Sequence, residues 1–552
     1  MTRNILIIIF TFIGITTNIA KSQTYGKCGT NLTWQLTGST LTISGNGEMY
    51  DYTIYYGSRP WDDYKNNIKI IVINNGVTTI GECAFYQNFN VESVTIPNSV
   101  FKLGNRSFFA CNNLTTIDIP SSITIIGNKV FEACSSLISI NVDVNSNYSS
   151  DNGVLYNKMA DTLICCPAGK TEAFIVPEFV TTIADYAFQN CRNLTSITVP
   201  SSVFSIGVNA FSTCTSLIAV NVAANNMNYS SNDGILYNKL QDTLICCPSG
   251  KMGTITIPNT VVTIADEAFN FCRDLVSVII PNSVTTIGKA VFAHCYGLHS
   301  VEMGCSIKSI GNFAFEWCSG LTSIIIPDSV TSMGNYTFSD CSYLKSAIIG
   351  NSVTEIGESA FSNCSRLSSI IIPNSVSKVG YAAFYECVRL TSVIFGNSVT
   401  EIGNGAFAYC VSLDSITCKA KDCPVIDFHT FYGVPINAHI FVPCNTTSAY
   451  RNSDWGNVFT NFIEDCNSGI KPYTNSVNEK IKLYPNPIID KFYVDYKDFY
   501  SIKIYDISGK EVLTQNANGK TEVNISNLSK GIYTVSILSK NKVIANDKIV
   551  KQ

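Results

Sequence analysis

The chain has 552 residues, of which 46% are hydrophobic and 14% charged, and its formal net charge is −4. The apolar fraction is too high for a disordered chain, and no run of basic residues is long enough to form the cationic footprint of a nucleic-acid-binding protein. Because a soluble domain usually carries about 25% charged residues, uncharged Ser, Thr and Asn must cover much of this surface.

Residues 1–22 read as a secretory signal peptide. Arg3 supplies a positive start, and the apolar run Ile5–Ile15 that follows is shorter than the roughly 20 residues of a membrane-spanning helix. Small and polar residues come next, so cleavage is predicted after Ala20 or near Gln23. An uncleaved membrane anchor is the alternative. No later run reaches the length of a spanning segment, so the mature chain is predicted to have no transmembrane segment.

The region 23–66 contains a pattern typical of a small hairpin. Leu36, Leu41 and Ile43 alternate with polar residues, and such alternation places apolar side chains on one face of a strand. We expect this hairpin to close the end of the coil that follows it.

A 23-residue repeat organises residues 67–440. Twelve phenylalanines recur from Phe85 to Phe407, and nine of the eleven intervals between them are 23 residues. A Leu-x-x-Ile-x-Ile pattern follows each Phe, and it predicts a short strand whose alternate side chains point inward. One unit cannot bury its apolar face alone, so the repeat predicts a solenoid with parallel pairing of successive strands.

Each unit then carries a Ser-Val-x-x-Ile-Gly segment, which is predicted to turn the coil and to add a second apolar ridge. Glycines of this segment, such as Gly104 and Gly127, indicate a backbone position that either has no room for a Cβ atom or has positive φ.

A cysteine follows the phenylalanine by three positions in eleven of the twelve units, and the first unit has Asn88 there. Residues that recur once per coil stack into one buried column, and buried Cys packs as a small hydrophobe with a weak hydrogen-bond donor. Disulfides or a metal within the column are the alternatives. The predicted structural ladder consists of Cys111, Cys134, Cys191, Cys214, Cys272, Cys295, Cys318, Cys341, Cys364, Cys387 and Cys410.

The outward positions of the predicted strands change character along the array. At the outward position directly after the middle inward residue, the early strands carry polar side chains, such as Asp118 and Thr198. The later strands carry an apolar stripe rimmed by serines, and exposed apolar patches of this kind often mark interaction sites. The other interpretation is that neighbouring side chains cover these apolar residues, or that their β-propensity alone explains why they occur there. The candidate partner-binding residues are Ile279, Glu302, Ile325, Ile348, Ile371 and Ile394.

The repeat, for example LTSIIIPDSVTSMGNYTFSDC at Leu321–Cys341, strongly resembles the BspA-like leucine-rich repeats of bacterial surface proteins and some parasitic protists. The resemblance covers residues 67–440, and residues 23–66 look like the N-terminal cap that often precedes such repeats. It implies a mainly β leucine-rich repeat solenoid. Since members include adhesins, it also implies a protein ligand such as a host extracellular-matrix protein or a bacterial surface protein.

Two near-identical inserts lie near 145–170 and 226–251. Asn147 to Lys158 recurs as Asn228 to Lys239, and each copy contains an Asn-Gly or Asp-Gly turn between strand-like runs. Each insert is therefore predicted to be a protruding hairpin. The Cys-Cys pair in each insert does not favour redox chemistry, because adjacent residues of a strand point to opposite faces.

The repeat decays after Cys410, so residues 441–466 are predicted to form a C-terminal cap and residues 467–479 a linker. Cysteines outside the ladder can form one or two disulfides in an exported protein, but their pairing stays open. The candidates are Cys418, Cys423, Cys444 and Cys466, and the pairing of Cys28 stays open as well.

Residues 480–552 lack cysteine and contain six short alternating strands, which predict a small all-β, Ig-like sandwich. Leu483-Tyr484-Pro485-Asn486-Pro487, Ile504 to Lys510, Leu528 to Tyr533 and the final Lys548 to Lys551 closely resemble the C-terminal sorting domain of the type IX secretion system of Bacteroidetes. The resemblance implies that residues 480–552 engage this machinery, and that the chain is exported to the outer cell surface or beyond. A sandwich that itself binds a ligand is the alternative.

The sequence contains no GxSxG, HExxH, phosphate-loop or CxxC pattern, so we predict no catalysis, no cofactor and no metal. His294 and His299 are five residues apart, but one lies beside the ladder and the other near a strand, which disfavours a shared metal. The predicted function is protein binding or adhesion through the repeat face. A self-associating component of the cell envelope is the alternative.

Overall fold

The computed structural model describes residues 24–144, 147–427, 429–466, 482–484, 490–495, 499–506, 511–529, 531–539 and 542–551. The predicted signal peptide, the linker 467–479, and parts of the sorting motifs around 485–489 and 507–510 lie outside these residues. The chain divides into two compact units, residues 1–464 and 465–552. None of the helices in the described ranges is long and apolar enough to cross a membrane.

The first unit begins with an antiparallel hairpin, which caps the first coil. Leu36 lies opposite Leu41 across the pair, and Leu41 and Ile43 are buried. The second hairpin strand then pairs in parallel with the first coil. The elements of this cap are the strands Tyr25–Lys27, Leu32–Thr37, Thr40–Gly45 and Gly47–Glu48 and the 3-10 helix Asp62–Tyr64.

Each coil contributes one strand to a parallel ladder, as the repeat predicts. Alternate side chains of these strands enter the core, as Ile117 and Ile119 do. In the order of the chain, these strands are Ile70–Ile73, Ser93–Thr95, Thr116–Ile119, Ser139–Val142, Glu172–Ile175, Leu194–Val199, Ala219–Val222, Gly253–Thr256, Leu275–Ile279, Ser300–Glu302, Ser323–Ile325, Ser346–Ile348, Ser369–Ile372, Ser392–Phe395, Ser415–Cys418, His439–Pro443 and Phe462–Asp465.

The Ser-Val-x-x-Ile-Gly segment forms a second parallel ladder of very short strands. In the order of the chain, these are Val77–Ile80, Lys102–Leu103, Ile125–Ile126, Thr182–Ile183, Ser205–Ile206, Thr263–Ile264, Thr286–Ile287, Ser309–Ile310, Ser332–Met333, Glu355–Ile356, Lys378–Val379, Glu401–Ile402 and Val425–Ile426. The following glycine packs against the preceding coil. A Cβ atom on Gly104 would lie 2.5 Å from the Glu82 backbone nitrogen, so lack of room, and not positive φ, explains this glycine.

Around the phenylalanine, each coil alternates between right- and left-handed backbone. Cys83 and Gln87 flank Phe85 and have φ of 53° and 59°, although the left-handed region costs a non-glycine residue about 1–2 kcal/mol. This alternation aims the N–H groups of Cys83, Phe85 and Gln87 at carbonyls of the next coil, at 2.7–2.9 Å. The same pattern recurs along the array, and the phenylalanine rings stack at centroid distances such as 5.2 Å for Phe361 and Phe384.

Uncharged side chains make further hydrogen bonds between coils. The Ser329 hydroxyl donates to the Ile307 carbonyl at 2.7 Å, and the Asn312 Oδ1 atom accepts the Asn335 N–H at 2.9 Å. Equivalent bonds recur at intervals of 22 and 23 residues, for example from Ser283 to Val261. The low charge content therefore reflects a surface in which Ser and Asn join coil to coil.

Each insert is a hairpin, but the prediction that it protrudes is wrong. Tyr148–Asp151 pairs with Val154–Asn157 around the turn Asn152-Gly153, and a third strand, Thr162–Cys165, then joins the second ladder beside Thr182–Ile183. The second insert repeats this arrangement with Tyr229–Asn232, Ile235–Asn238 and Thr243–Cys246.

The inserts divide the hydrophobic core into three parts. Leu155 belongs to the core before the first insert, whereas Val154 and Tyr156 belong to the core after it. Leu236 and its neighbours Ile235 and Tyr237 divide the second and third cores in the same way. Because alternate side chains of one strand serve two cores, each insert acts as an internal cap.

The end of the solenoid is closed by two short helices, Thr447–Arg451 and Asp454–Val458, which the sequence did not predict. Tyr450 and Trp455 are buried there, and the Trp455 Nε1 atom donates to the Pro424 carbonyl at 2.9 Å. Cys444 and Cys466 are disulfide-bonded, whereas Cys28, Cys418 and Cys423 are free.

The second unit consists of antiparallel strands in a three-stranded and a four-stranded sheet, which fits the predicted sandwich. Its core contains Phe492, Ile504 and Val535. The sequence missed the first strand. The strands are Lys482–Tyr484, Lys491–Asp495, Phe499–Tyr505, Glu511–Asn518, Thr521–Asn524, Gly531–Ser539 and Lys542–Lys551.

The equivalence of the two inserts predicts that one solenoid segment can be removed. Asn147 matches Asn228 at an offset of 81 residues, so deleting residues 148–228 restores the same junction with one insert fewer. We expect the shortened chain to unfold cooperatively, with the β-type circular dichroism spectrum of the parent, because each core is capped at both ends. Deletion of residues 148–220, which joins the chain out of register, serves as the control. An aggregated product from the in-register deletion would contradict this reading of the inserts.

Candidate binding face

The predicted stripe residues lie on the outward face of the first ladder, and strand register brings them side by side. Ile279 is paired with Glu302, Ile325 with Ile348, and Ile371 with Ile394. Their immediate neighbours along the strands point the other way, because side chains alternate across a strand. The six positions therefore form one line that crosses the coils after the second insert.

The stripe is only partly covered by its neighbours. Ile371 is 40% exposed, Glu302 is exposed, and Ile279, Ile325, Ile348 and Ile394 are half-buried. By contrast, the inward residues Ile324 and Ile370 are fully covered. The line is thus an apolar surface with solvent on one side.

A row of hydroxyl groups runs beside the stripe. Ser323 faces Ser346, and Ser369 faces Ser392, so equivalent serines follow one another from coil to coil. Within the described residues, these four hydroxyls have no hydrogen-bond partner, and they remain able to bond to a partner. The face combines apolar area with donors and acceptors at its edge, as protein interfaces do.

The early coils carry a different surface at the same positions. The Asn141 Nδ2 atom donates to Asp118 Oδ1 at 2.9 Å, and the Ser139 hydroxyl donates to Asn141 Oδ1 at 2.7 Å. Thr198 faces Asn221 in the next segment. The exception is Ile175, which is paired with Thr198 and is 72% exposed, but its paired neighbour is polar. A continuous apolar stripe therefore occurs in the last segment.

The ladder cysteines form a buried column in which each thiol bonds to the coil before it. Cys318 donates to the Phe292 carbonyl at 3.0 Å, and Cys341 to the Phe315 carbonyl at 3.2 Å. Cys191 and Cys272 follow the inserts, and they bond instead to the Cys166 and Cys247 carbonyls. All eleven thiols are buried and free.

Burial suppresses the reactivity of three thiols in the last part of this column. Desolvation raises the pKa values of the Cys318, Cys341 and Cys364 thiols above their usual range, and a protonated thiol is neither a good nucleophile nor a metal ligand. The adjacent Cys165 and Cys166 contact different cores. In the described ranges, one group of three side chains could hold a metal, Cys444, Glu464 and Cys466, and its two cysteines are disulfide-bonded.

Asn88 occupies the position of the cysteine in the first coil and is the exception in the column. Its side chain is fully buried, and its Nδ2 and Oδ1 atoms have no hydrogen-bond partner. An unsatisfied buried amide costs about 1–3 kcal/mol. We therefore expect this coil to be less stable than a coil with cysteine at the same position.

Comparison with known proteins agrees with this architecture. The model of the BspA-type leucine-rich repeat region matches residues 63–166, 165–253, 245–366 and 331–453, and the chain belongs to this family. The model of the secretion system C-terminal sorting domain matches residues 482–552. Neither family is a catalytic one. No curated protein matches the chain.

Solved structures of leucine-rich repeat proteins also align with the chain. A leucine-rich repeat protein from Eubacterium ventriosum is 24% identical, covering 74% of this chain and 94% of its own, with a TM-score of 0.43. A leucine-rich cell surface protein from Faecalibacterium prausnitzii is 26% identical over 72% and 95%, with a TM-score of 0.36. The fold assignment rests on the strands described above and on the family match.

The buried column predicts a sharp contrast in thiol reactivity. At pH 8 we expect iodoacetamide to label the exposed Cys305 rapidly, whereas Cys318, Cys341 and Cys364 stay protonated and inaccessible until the chain is denatured. Mass spectrometry of labelled peptides checks this. Rapid labelling of these three thiols in the folded chain would mean that the column is open to solvent.

The unsatisfied amide predicts a stabilising substitution. Replacing Asn88 by Cys removes a buried polar group without a partner and restores the residue of the other eleven units, so we expect Asn88→Cys to raise the free energy of unfolding by about 1–2 kcal/mol. Denaturant titration measures the change, and Asn88→Ser, which keeps a polar group at the site, is the matched control. A less stable Asn88→Cys variant would show that Asn88 has a partner in solution.

Proposed function

We propose that the protein is an exported adhesion or protein-binding molecule that holds its ligand on the repeat face through Ile279, Glu302, Ile325, Ile348, Ile371 and Ile394. The observation that carries this proposal is the half-exposed apolar stripe beside unpaired serine hydroxyls, confined to the last segment. The solvent-exposed part of this apolar line adds nothing to the stability of the core, and such surfaces often mark interaction sites.

The sorting domain supports a location outside the cell or on its surface. Residues 482–552 match a secretion sorting domain, which indicates export to the cell surface or the outside through the type IX machinery. A protein delivered there meets host extracellular-matrix proteins and the surfaces of other bacteria. Within the described residues, the stripe is assembled from rigid, in-register strands, so it is organised before a ligand arrives, and this reduces the entropic cost of binding.

The test is a binding screen against immobilised extracellular-matrix proteins and bacterial cells. Ile325→Asp/Ile348→Asp/Ile371→Asp places three charges on the stripe, and we expect it to weaken binding by more than about tenfold, since charges are disfavoured in the centre of an interface. Thr198→Asp/Asn221→Asp alters the same outward positions of an early segment and serves as the control.

Two further measurements separate binding from stability. The uncharged triple variant Ile325→Ser/Ile348→Ser/Ile371→Ser should also weaken binding, and its thermal unfolding should stay cooperative because these side chains lie outside the buried core. Equal binding by the parent and the triple variants would exclude the stripe as the binding site. Absence of ligand binding together with concentration-dependent sedimentation, abolished by the triple variant, would favour self-association in the envelope.

A further inference from the structure

The N-terminal cap exposes a run of aromatic and aliphatic side chains that the core does not need. We name residues 50–56 the tyrosine loop. Within it, Tyr50, Ile54, Tyr55 and Tyr56 are 48%, 46%, 73% and 65% exposed. A cap stabilises a solenoid by covering the exposed end of its core, and these four side chains point away from that core. Their exposure is therefore not explained by folding.

Buried side chains fix the shape of this loop. Arg59 and Asp62 form a fully buried ion pair, with the Arg59 Nε atom 2.7 Å from Asp62 Oδ1. The Arg59 Nη1 atom also donates to the Thr53 carbonyl at 3.0 Å, and Asp62 Oδ2 accepts the Gly57 N–H at 2.8 Å. One ion pair thus holds both sides of the loop tip.

The base of the loop is tied to the cap and to the first coil. The Tyr50 N–H donates to the Cys28 carbonyl, and the Tyr52 N–H donates to the Glu82 carbonyl, both at 2.8 Å. The Tyr52 ring packs edge-on against the buried Trp61 at 5.6 Å. Because its backbone is anchored at base and tip, the loop presents Ile54, Tyr55 and Tyr56 in a fixed arrangement.

A rigid, exposed, tyrosine-rich loop is the arrangement that binding loops use. Tyrosine offers a large apolar ring and a hydroxyl while losing little conformational entropy on binding, and tyrosines dominate the energetics of many interfaces. The ion pair removes most of the cost of ordering the backbone.

The charges around the loop indicate the kind of partner. Asp51 lies within it and is exposed, and the exposed Asp63 carboxylate accepts the Tyr56 hydroxyl at 2.7 Å. Among the described residues, two cations contact the loop: the buried Arg59, which is paired with Asp62, and Lys65, whose ammonium lies 5.3 Å from the centre of the Tyr56 ring. Carboxylates therefore outnumber cations around the apolar tip.

We propose that the tyrosine loop is a second binding site, which docks a basic, partly apolar segment of a partner protein. The aliphatic Ile54 beside the two rings favours a protein over a polysaccharide, and the acidic rim selects Lys and Arg. The site lies before the first coil, whereas the stripe begins after the second insert, so the two sites act independently.

The test selects peptides from a random display library on the full chain and measures their affinity for variants. We expect the enriched peptides to combine Lys or Arg with apolar residues and to bind more weakly as salt rises. Tyr55→Ser/Tyr56→Ser should weaken their binding by more than about tenfold. Tyr381→Ser, which alters another exposed tyrosine, and the stripe variant Ile325→Ser/Ile348→Ser/Ile371→Ser should leave it unchanged.

Thermal unfolding of the double variant should match that of the parent, since both rings are exposed. Equal affinity of the enriched peptides for parent and double variant would overturn the proposal, as would a selection that yields no peptide or only acidic ones. Binding of the loop to a glycan array but not to peptides would overturn the protein partner in favour of a polysaccharide. Loss of peptide binding in the stripe variant alone would assign the peptides to the repeat face.

Discussion

Hydrogen bonding between successive coils is the constraint on which the first unit depends. A coil of 23 residues encloses too little apolar surface to be stable alone, so each one is defined by the coils before and after it. The strand, the short second ridge, the turn around the phenylalanine and the side chains of Ser, Asn and Cys all bond across this interval. A residue is therefore suited to its position when it makes favourable contacts with the coils before and after it.

This constraint explains residues that are unusual in an ordinary domain. A buried thiol can donate to a carbonyl of the preceding coil, as Cys318 does to Phe292, and it fills the remaining space as an apolar group. The left-handed residues around each phenylalanine are unfavourable one at a time. They persist because the alternating backbone directs alternate N–H groups to the next coil, which satisfies groups that would otherwise be buried without partners.

The sequence predicted the solenoid and its parallel pairing because a pattern repeated twelve times averages out local ambiguity. It predicted the sorting domain from several short motifs that resemble that family. It did not predict the left-handed positions, since nearly all of them, such as Cys83 and Gln87, are occupied by residues other than glycine. It misjudged the inserts because Val154, Leu155 and Tyr156 read as a hairpin, and burial on both faces depends on two cores that are remote in the chain. The helices at Thr447–Arg451 and Asp454–Val458 are too short to show helical periodicity.

The same constraint determines where binding can evolve. Inward strand positions, turn positions and the Ser and Asn bonded along the axis are all committed to the neighbouring coils, so a substitution there disturbs two or three of them. Outward strand positions and the loops of the caps are free of this requirement. The variation from Asp118 and Thr198 to Ile325 and Ile371 occurs at outward positions, and the exposed tyrosines occur in a cap. Both surfaces therefore lie where a change of side chain costs little of the stability of the stack.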